Sequence, residues 1–262
     1  MKIIVITGST RGIGYGLADA FLDLGQAVVI SGRSQAGVDE AVEALSGKHQ
    51  GAAILGWPCD VTQAEQVQAL WDATREHFQQ VDIWINNAGV SQSLADVRQL
   101  PPQQMATIVE TNILGTLYGS RVALNGMIEQ GFGALYNMEG LGSNGRKQAH
   151  VTVYGTTKYA IRYLNEVLEM ETKDTPVLVG ALLPGMVVTD ILTAPYADRP
   201  EQWEKDKRIF NILADRVETV TPWMAKEILT NEKHGARINW NRRGRMLTRF
   251  LTAPFRRRRV VD

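Results

Sequence analysis

The chain opens with a strand that runs straight into a glycine-rich turn and then a helix, and few folds can use that unit. Residues 2–7 read K-I-I-V-I-T, a β-branched apolar run suited to a buried parallel strand. Gly8-Ser9-Thr10-Arg11-Gly12-Ile13-Gly14 follows at once, and apolar residues then recur at helical spacing as Ile13, Leu17, Phe21 and Leu24. Strand, glycine turn and helix N-terminus together place a phosphate group on free backbone N–H groups. The spacing is G-x-x-x-G-x-G, not G-x-G-x-x-G. Taken alone, the loop also fits a generic tight turn.

The rest of the chain repeats the alternation. Strands are expected at Ala27–Ser31, Ala52–Trp57, Val81–Ile85, Ala134–Met138, Val177–Leu183 and, briefly, Arg237–Trp240. Helices are expected at Val38–Leu45, Ala64–Phe78, Pro102–Glu129 and Tyr154–Thr172. Such alternation predicts an α/β fold: a Rossmann-like, doubly wound parallel sheet with helices on both faces. At 262 residues, 44% of them hydrophobic, one domain over 1–262 can bury a substantial core. Lys+Arg and Asp+Glu balance at 28 each, so no global field draws nucleic acid. The single Cys59 excludes a disulfide framework, and the four histidines lack ligand spacing, so no metal is expected. No apolar stretch approaches the roughly 20 residues that span a bilayer. The first strand starts at the second residue, so neither a signal nor a transit peptide is expected, and the location implied is cytoplasmic.

The chemistry is carried by V-Y-G-T-T-K at 153–158. Tyr154 and Lys158 are four residues apart and share one helix face. An ammonium beside a phenol favours the phenolate, so Lys158 is expected to lower the Tyr154 pKa. A phenol so tuned exchanges a proton with a carbonyl or alcohol oxygen.

With T-G-S-T-R-G-I-G at 7–14, C-D-V at 59–61, N-N-A-G at 86–89, T-N-I-L-G-T around Asn112, the tyrosine–lysine pair and P-G-M-V-V-T-D at 184–190, the chain resembles a classical short-chain dehydrogenase/reductase over nearly its whole length. The resemblance implies Tyr154 as general acid. It implies that Lys158 binds the nicotinamide ribose and that Asn112 supports a proton-relay water. It places Gly8, Ser9, Thr10, Arg11, Gly12, Ile13 and Gly14 at the pyrophosphate. Asp60 and Val61 fall at the adenine, and Asn87, Ala88 and Gly89 along the cofactor wall. Pro184, Gly185, Val187 and Thr189 fall at the nicotinamide carboxamide. Family members usually pair through the helices that hold Asn112 and Tyr154, which implies a homodimer or homotetramer.

Charge argues for the cofactor. An acid after the second strand would accept the ribose hydroxyls of NAD, whereas an arginine accommodates a 2′-phosphate. Here Ser31-Gly32-Arg33-Ser34 carries no acid, and Arg11 adds a second guanidinium, so NADPH/NADP+ is expected. The alternative is that both arginines are solvated surface charges.

The fifth strand departs from the family pattern. The family's N-I-S-S, whose second serine holds the substrate oxygen, is here Asn137-Met138-Glu139-Gly140. Ser143 is a candidate replacement if the glycines fold the loop back, and a backbone N–H is another. N-M-E-G-L-G-S-N-G followed by Y-G-T-T-K resembles the chlorophyll b reductases, which carry aspartate at the place of Glu139. P-G-M-V-V-T-D-I-L at 184–192 and F-N-I-L-A-D-R-V-E-T-V at 210–220 extend that likeness. It implies NADPH reduction of the C7 formyl group of chlorophyll b, or of a related tetrapyrrole, to hydroxymethyl. The alternatives are another hydrophobic ketone, aldehyde or quinone, or an inactive NADPH-binding scaffold.

Two segments complete the reading. Residues 190–215, with Pro195, Tyr196, Trp203, Ile209, Phe210 and Leu213, form an expected substrate lid; ordinary packing is the alternative. The basic tail at 241–262 follows Arg237 with Arg242, Arg243, Arg245, Arg249 and Arg256 to Arg259, and Met246, Leu247, Phe250 and Leu251 share a helical face. It suits peripheral contact with an anionic membrane, thylakoid for a pigment substrate, or a cap over the pocket.

Overall fold

Side chains along each central strand alternate between two apolar layers, and that alternation buries the sheet on both faces. In the computed structural model, β1 (Ile3–Ile6), β2 (Ala27–Gly32), β3 (Ile54–Pro58), β4 (Ile83–Asn86), β5 (Gly133–Met138), β6 (Val177–Leu183) and β7 (Ala236–Asn239) form one sheet in the order β3-β2-β1-β4-β5-β6-β7. Every neighbouring pair is parallel. The structure describes residues 1–241, 248, 249, 251 and 258–261.

The helices are α1 (Gly12–Asp23), α2 (Gln35–Lys48), α3 (Ala64–Phe78), α4 (Pro102–Val109), α5 (Gly115–Gln130), α6 (Thr152–Glu171), α7 (Asp190–Thr193), α8 (Pro200–Leu213) and α9 (Val217–Thr230). Ile4, Ile6, Val28, Ile30, Ile83 and Ile85 enter the layer shared with Leu17 and Phe21 of α1, Leu45 of α2 and Met224 of α9. Val5, Val29 and Trp84 enter the other, with Leu70 and Trp71 of α3, Val122 and Met127 of α5 and Leu168 of α6. Each large apolar side chain taken out of water contributes about 1.5–3 kcal/mol. The fold is thus the Rossmann-like doubly wound sheet, in one domain. Strand order reverses between β1 and β4, which opens a crevice at the carboxyl ends of the strands.

The differences from the sequence reading are local. The helix expected over Val38–Leu45 extends to Gln35–Lys48, because Ser34 caps it with its Oγ accepting the Gly37 N–H at 3.3 Å. Ala52 belongs to the turn before β3, its N–H donating to the His49 carbonyl. The helix expected over Pro102–Glu129 is α4 and α5 joined by one π-helical turn, Glu110–Leu114. The sequence pattern gives no expectation for α9, where Pro222 interrupts the helical signal.

Candidate active site

The crevice is built first by the glycine turn. Gly8 has φ +62°, and a Cβ there would stand 2.8 Å from the Ala88 Cα. Only glycine lets the end of β1 lie this close to the end of β4. Ser9 is buried; its Oγ donates to the Ile6 carbonyl at 2.7 Å and accepts the Ser31 N–H at 2.9 Å, which ties the turn to β2. The methyl of Thr10 packs on Gly32, and Gly12 and Gly14 lie against Thr189 and Asn87. Ile13 is half-buried behind them. Arg11 precedes α1 without a side-chain cap, and the first turn holds no acid. The helix N-terminus therefore offers its amides, and its partial positive charge, to an anion at the crevice.

The wall beside it is held from within. The Asn87 Nδ2 donates to the Thr7 and Gly8 carbonyls, each at 2.9 Å, so this amide braces the glycine turn. The Thr7 Oγ1 accepts the N–H groups of Asn87 and Ala88, each at 3.1 Å. Asp60 turns its Oδ1 back to the Thr62 N–H and hydroxyl, and Val61 is buried against Gly115. Arg33 is exposed at the end of β2. Arg11 does not join it: its guanidinium lies 3.1 Å from the Asp190 carboxylate. Both partners are largely exposed, so this pair is weak and readily exchanged.

After β6, Pro184, Gly185 and Met186 lead to Val187, which bridges Asp215. The Val188 N–H donates to the Asp215 carbonyl, and the Asp215 N–H to the Met186 carbonyl, both at 2.9 Å. Thr189 then closes on Gly12. Asp215 itself is buried and accepts from the Trp240 Nε1 at 2.6 Å, the Arg249 Nη2 at 2.6 Å and the Arg258 Nη2 at 2.7 Å. Burial alone would raise its pKa, but the indole and the two guanidinium groups hold it below the usual carboxylate range.

The tyrosine and lysine stand on the first turns of α6. The Lys158 Nζ donates to the Met138 carbonyl at 3.0 Å and lies 5.8 Å from the Tyr154 ring centroid. A Cβ on Gly140 would stand 2.7 Å from the Tyr154 hydroxyl. The place of the missing serine is therefore packed directly on the phenol. Gln92 orients the helix start, accepting the Tyr154 N–H at 2.9 Å while donating to the His150 carbonyl at 3.0 Å.

Asn112 sits in the π turn and is buried. Its Oδ1 accepts the Val90 N–H at 2.8 Å; its Nδ2 donates to the Val90 carbonyl and to the Thr157 Oγ1, each at 3.0 Å. Its side chain thus fastens the π turn to the β4 loop and to α6, one residue before Lys158. A π turn at such a point is a common device of functional sites.

The electrostatics correct one expectation. Burial pushes the Tyr154 phenol up to about 12, and lowers Lys158 to about 8, with Glu139 partly offsetting the latter. Desolvation, which disfavours both charged forms, outweighs the attraction between ammonium and phenolate. The phenol is therefore protonated at neutral pH.

The loop after β5 folds back, as its glycines allow. The Ser143 N–H donates to the Gly140 carbonyl at 3.1 Å, and Gly142, with φ +101°, packs on the backbone of Gly155 next to Tyr154. Ser143 is buried within this turn. Glu139 is buried as well, in a bidentate pair with Arg237, both contacts 2.8 Å. The sequence reading missed this pair; the signal was a carboxylate directly after a buried strand.

The expected lid contains α7 and α8. Tyr196, Trp203 and Phe210 pack ring to ring, with centroids 5.4–5.6 Å apart, around Val261 and Leu192. These rings fill the segment's own small core, while Ile191 and Ile209 are exposed. Of the basic tail, Arg249 and Arg258 also donate to the carbonyls of Leu213, Ile212 and Ala214 at the end of α8. Arg259 and Leu251 are exposed. Arg242, Arg243, Arg245, Met246, Leu247, Phe250, Arg256 and Arg257 lie outside the described residues. Among the described residues, no helix is long and apolar enough to cross a membrane.

Comparison with known proteins agrees with this geometry. Residues 2–200 match the family model for the short chain dehydrogenases. The chain is 33% identical over 275 residues to a protein of Oryza sativa subsp. japonica named "Probable chlorophyll(ide) b reductase NYC1, chloroplastic", covering 99% of this chain and 53% of that one. It is 36% identical over 230 residues to the chlorophyll(ide) b reductase NOL, chloroplastic, of Arabidopsis thaliana, covering 86% of this chain and 64% of that one. The chain therefore spans about half to two-thirds of the length of these plant relatives. Among solved structures, the closed form of serine dehydrogenase complexed with NADP+ superposes with a TM-score of 0.79 at 24% identity, covering 90% of this chain and 93% of that one, a likeness of fold alone. With the family model matched over residues 2–200 and relatives above 30% identical over most of its length, the chain belongs to the short chain dehydrogenases.

Proposed function

We propose that the protein is an NADPH-dependent carbonyl reductase acting on the C7 formyl group of chlorophyll b or a related tetrapyrrole, which it converts to hydroxymethyl. The observation that carries the reading is the convergence of a buried, protonated Tyr154, Lys158 and the Gly140–Ser143 turn at the mouth of the crevice. The crevice suits a dinucleotide. The tight Gly8–Ala88 approach leaves room for a pyrophosphate at the uncapped start of α1. Gly8, Gly12 and Gly14 would cradle it, Asp60 would face the adenine, and Val187 with Thr189 would face the nicotinamide. When bound, the reduced nicotinamide supplies hydride. Tyr154 gives its proton to the carbonyl oxygen, and the Lys158 ammonium stabilises the phenolate left behind. Ser143, or a backbone amide of its turn, holds the oxygen in place of the absent serine.

Arg33 supports NADPH over NADH, and Arg11 can join it once its exposed pair with Asp190 opens. The likeness to the plant reductases in N-M-E-G-L-G-S-N-G supports the formyl substrate, and Ile191 and Ile209 offer exposed apolar surface on the expected lid. Exposed Tyr159 and Tyr163 on α6, with Leu117 on α5, support a homodimer through those helices. Peripheral contact with a thylakoid-type surface through the remaining arginines belongs to the same reading. Arg33→Asp should raise the Michaelis constant for NADPH and increase relative use of NADH; unchanged constants for both would remove the arginine from the 2′-phosphate. A screen of chlorophyllide b against small ketones and quinones tests the substrate.

A further inference from the structure

We infer that Glu139 is a positioning residue for Lys158: an ionised carboxylate, locked by Arg237 in the β5–α6 interface, that keeps the active-site lysine an ammonium. The placement follows from the strand. Leu135, Asn137 and Glu139 alternate onto the face of β5 that meets α6, while Tyr136 and Met138 face the other layer. Lys158 and Asn165 lie two helical turns apart on the facing side of α6. Lys158 binds the carbonyl of Met138, Asn165 donates to Glu139 at 3.3 Å, and Gly140 meets the Tyr154 hydroxyl. Glu139 thus stands between the residues that carry the lysine and the phenol.

A chain of hydrogen bonds with one direction ends on this carboxylate. The Trp84 indole can only donate, and it donates to the Asn86 Oδ1 at 2.8 Å. The Asn86 Nδ2 then donates to the Asn137 Oδ1 at 2.8 Å, and the Asn137 Nδ2 to the Asn165 Oδ1 at 2.7 Å. The Asn165 Nδ2 ends the chain on Glu139, which must accept. Asn86, Asn137 and Asn165 are all buried. Two Arg237 donors complete the carboxylate, so every contact described gives it a hydrogen bond, two of them charge-assisted.

The ion pair is lopsided. The Glu139 side chain is 0% exposed, whereas that of Arg237 is 37% exposed. Solvent screens the guanidinium more than the carboxylate, so the negative end dominates at Lys158. The groups facing Lys158 are Tyr154 from its own helix, Glu139 from β5, and the uncharged Asn112 and Gly89 across the crevice. Arg162, one turn along α6, is held by Glu166 at 2.8 Å. Burial lowers Lys158 to about 8 even with Glu139 present, so losing the carboxylate would lower it further and shift more of the lysine to its neutral form.

The purpose assigned to Glu139 rests on the reductase reading, but its test does not. Protein labelled with [13Cε]-lysine would be titrated by NMR, with the Lys158 signal identified by its loss in Lys158→Met. The wild-type midpoint should lie at about 8. Glu139→Gln should move it to lower pH by about half a unit or more, and Glu139→Asp should restore it. The double variant Glu139→Gln/Arg237→Met, which leaves no unpaired guanidinium, keeps the test available if the single variant fails to fold; its midpoint should also lie below wild type. A midpoint unmoved in the folded variants would overturn the inference. In turnover assays, the alkaline limb of NADPH-dependent reduction should shift with that midpoint. A uniform loss at all pH values, the limb unmoved, would reduce Glu139 to a structural role. A protein that reduces no carbonyl would defeat the reductase reading while the titration still decides this one.

Discussion

At the scale of single residues, the site turns on how little room Gly140 has. A Cβ there would press on the Tyr154 hydroxyl at 2.7 Å, closer than carbon and oxygen tolerate. Gly140→Ala should displace the phenol, and displacement by about 1 Å can lower kcat by up to about a hundredfold. Ser143→Ala leaves Tyr154 in place and removes only a hydroxyl, so it tests the oxygen-holding role separately. If Ser143 donates to the substrate oxygen, kcat should fall by about 10²–10³-fold with NADPH affinity unchanged. Steady-state kinetics of the two variants checks both. A loss under about threefold in Ser143→Ala would shift that role to the turn's backbone or to Tyr154 alone.

At the scale of elements, the segment after β6, proposed to face the nicotinamide, is held from the far end of the chain. Val187 and Asp215 bridge two stretches of backbone, and the Asp215 carboxylate gathers Trp240, Arg249 and Arg258 onto that bridge. Asp215→Asn leaves two buried-facing guanidinium groups without their anion, and breaking such a pair costs about 3–5 kcal/mol. Thermal unfolding should show a lowered Tm, and the Michaelis constant for NADPH should rise as the 186–189 segment loosens. The pH sign follows from the depressed carboxyl. Its stabilising contribution is full above the ordinary aspartate pKa and is lost as pH falls through the lower folded value, so the Tm gap between wild type and variant should narrow only in acid. An unchanged Tm and Michaelis constant would show that the bridge stands without the carboxylate.

At the scale of the whole molecule, the sheet, the glycine turn and the tyrosine–lysine pair were legible because each depends on local pattern. Continuous apolar strand runs, helical spacing from Ile13 and the four-residue step from Tyr154 to Lys158 are all short-range signals. What escaped were effects of burial and long-range pairing. Nothing in Y-x-x-x-K says that desolvation exceeds the lysine's attraction, yet the phenol rises to about 12. The Glu139–Arg237 pair spans 98 residues of chain and Arg249 reaches Asp215 across 34, so no local window holds both partners. Read as a basic tail, those arginines suggested a membrane surface or a cap over the pocket; among them, Arg237, Arg249 and Arg258 satisfy buried carboxylates. The central claim is that this crevice reduces a formyl carbonyl with Tyr154 as the proton donor. Purified protein with NADPH and chlorophyllide b should yield the 7-hydroxymethyl product, and Tyr154→Phe should abolish that product while binding NADPH as wild type does. Wild-type protein that consumes no NADPH with any carbonyl offered, or a Tyr154→Phe variant that turns over at the wild-type rate, would contradict it.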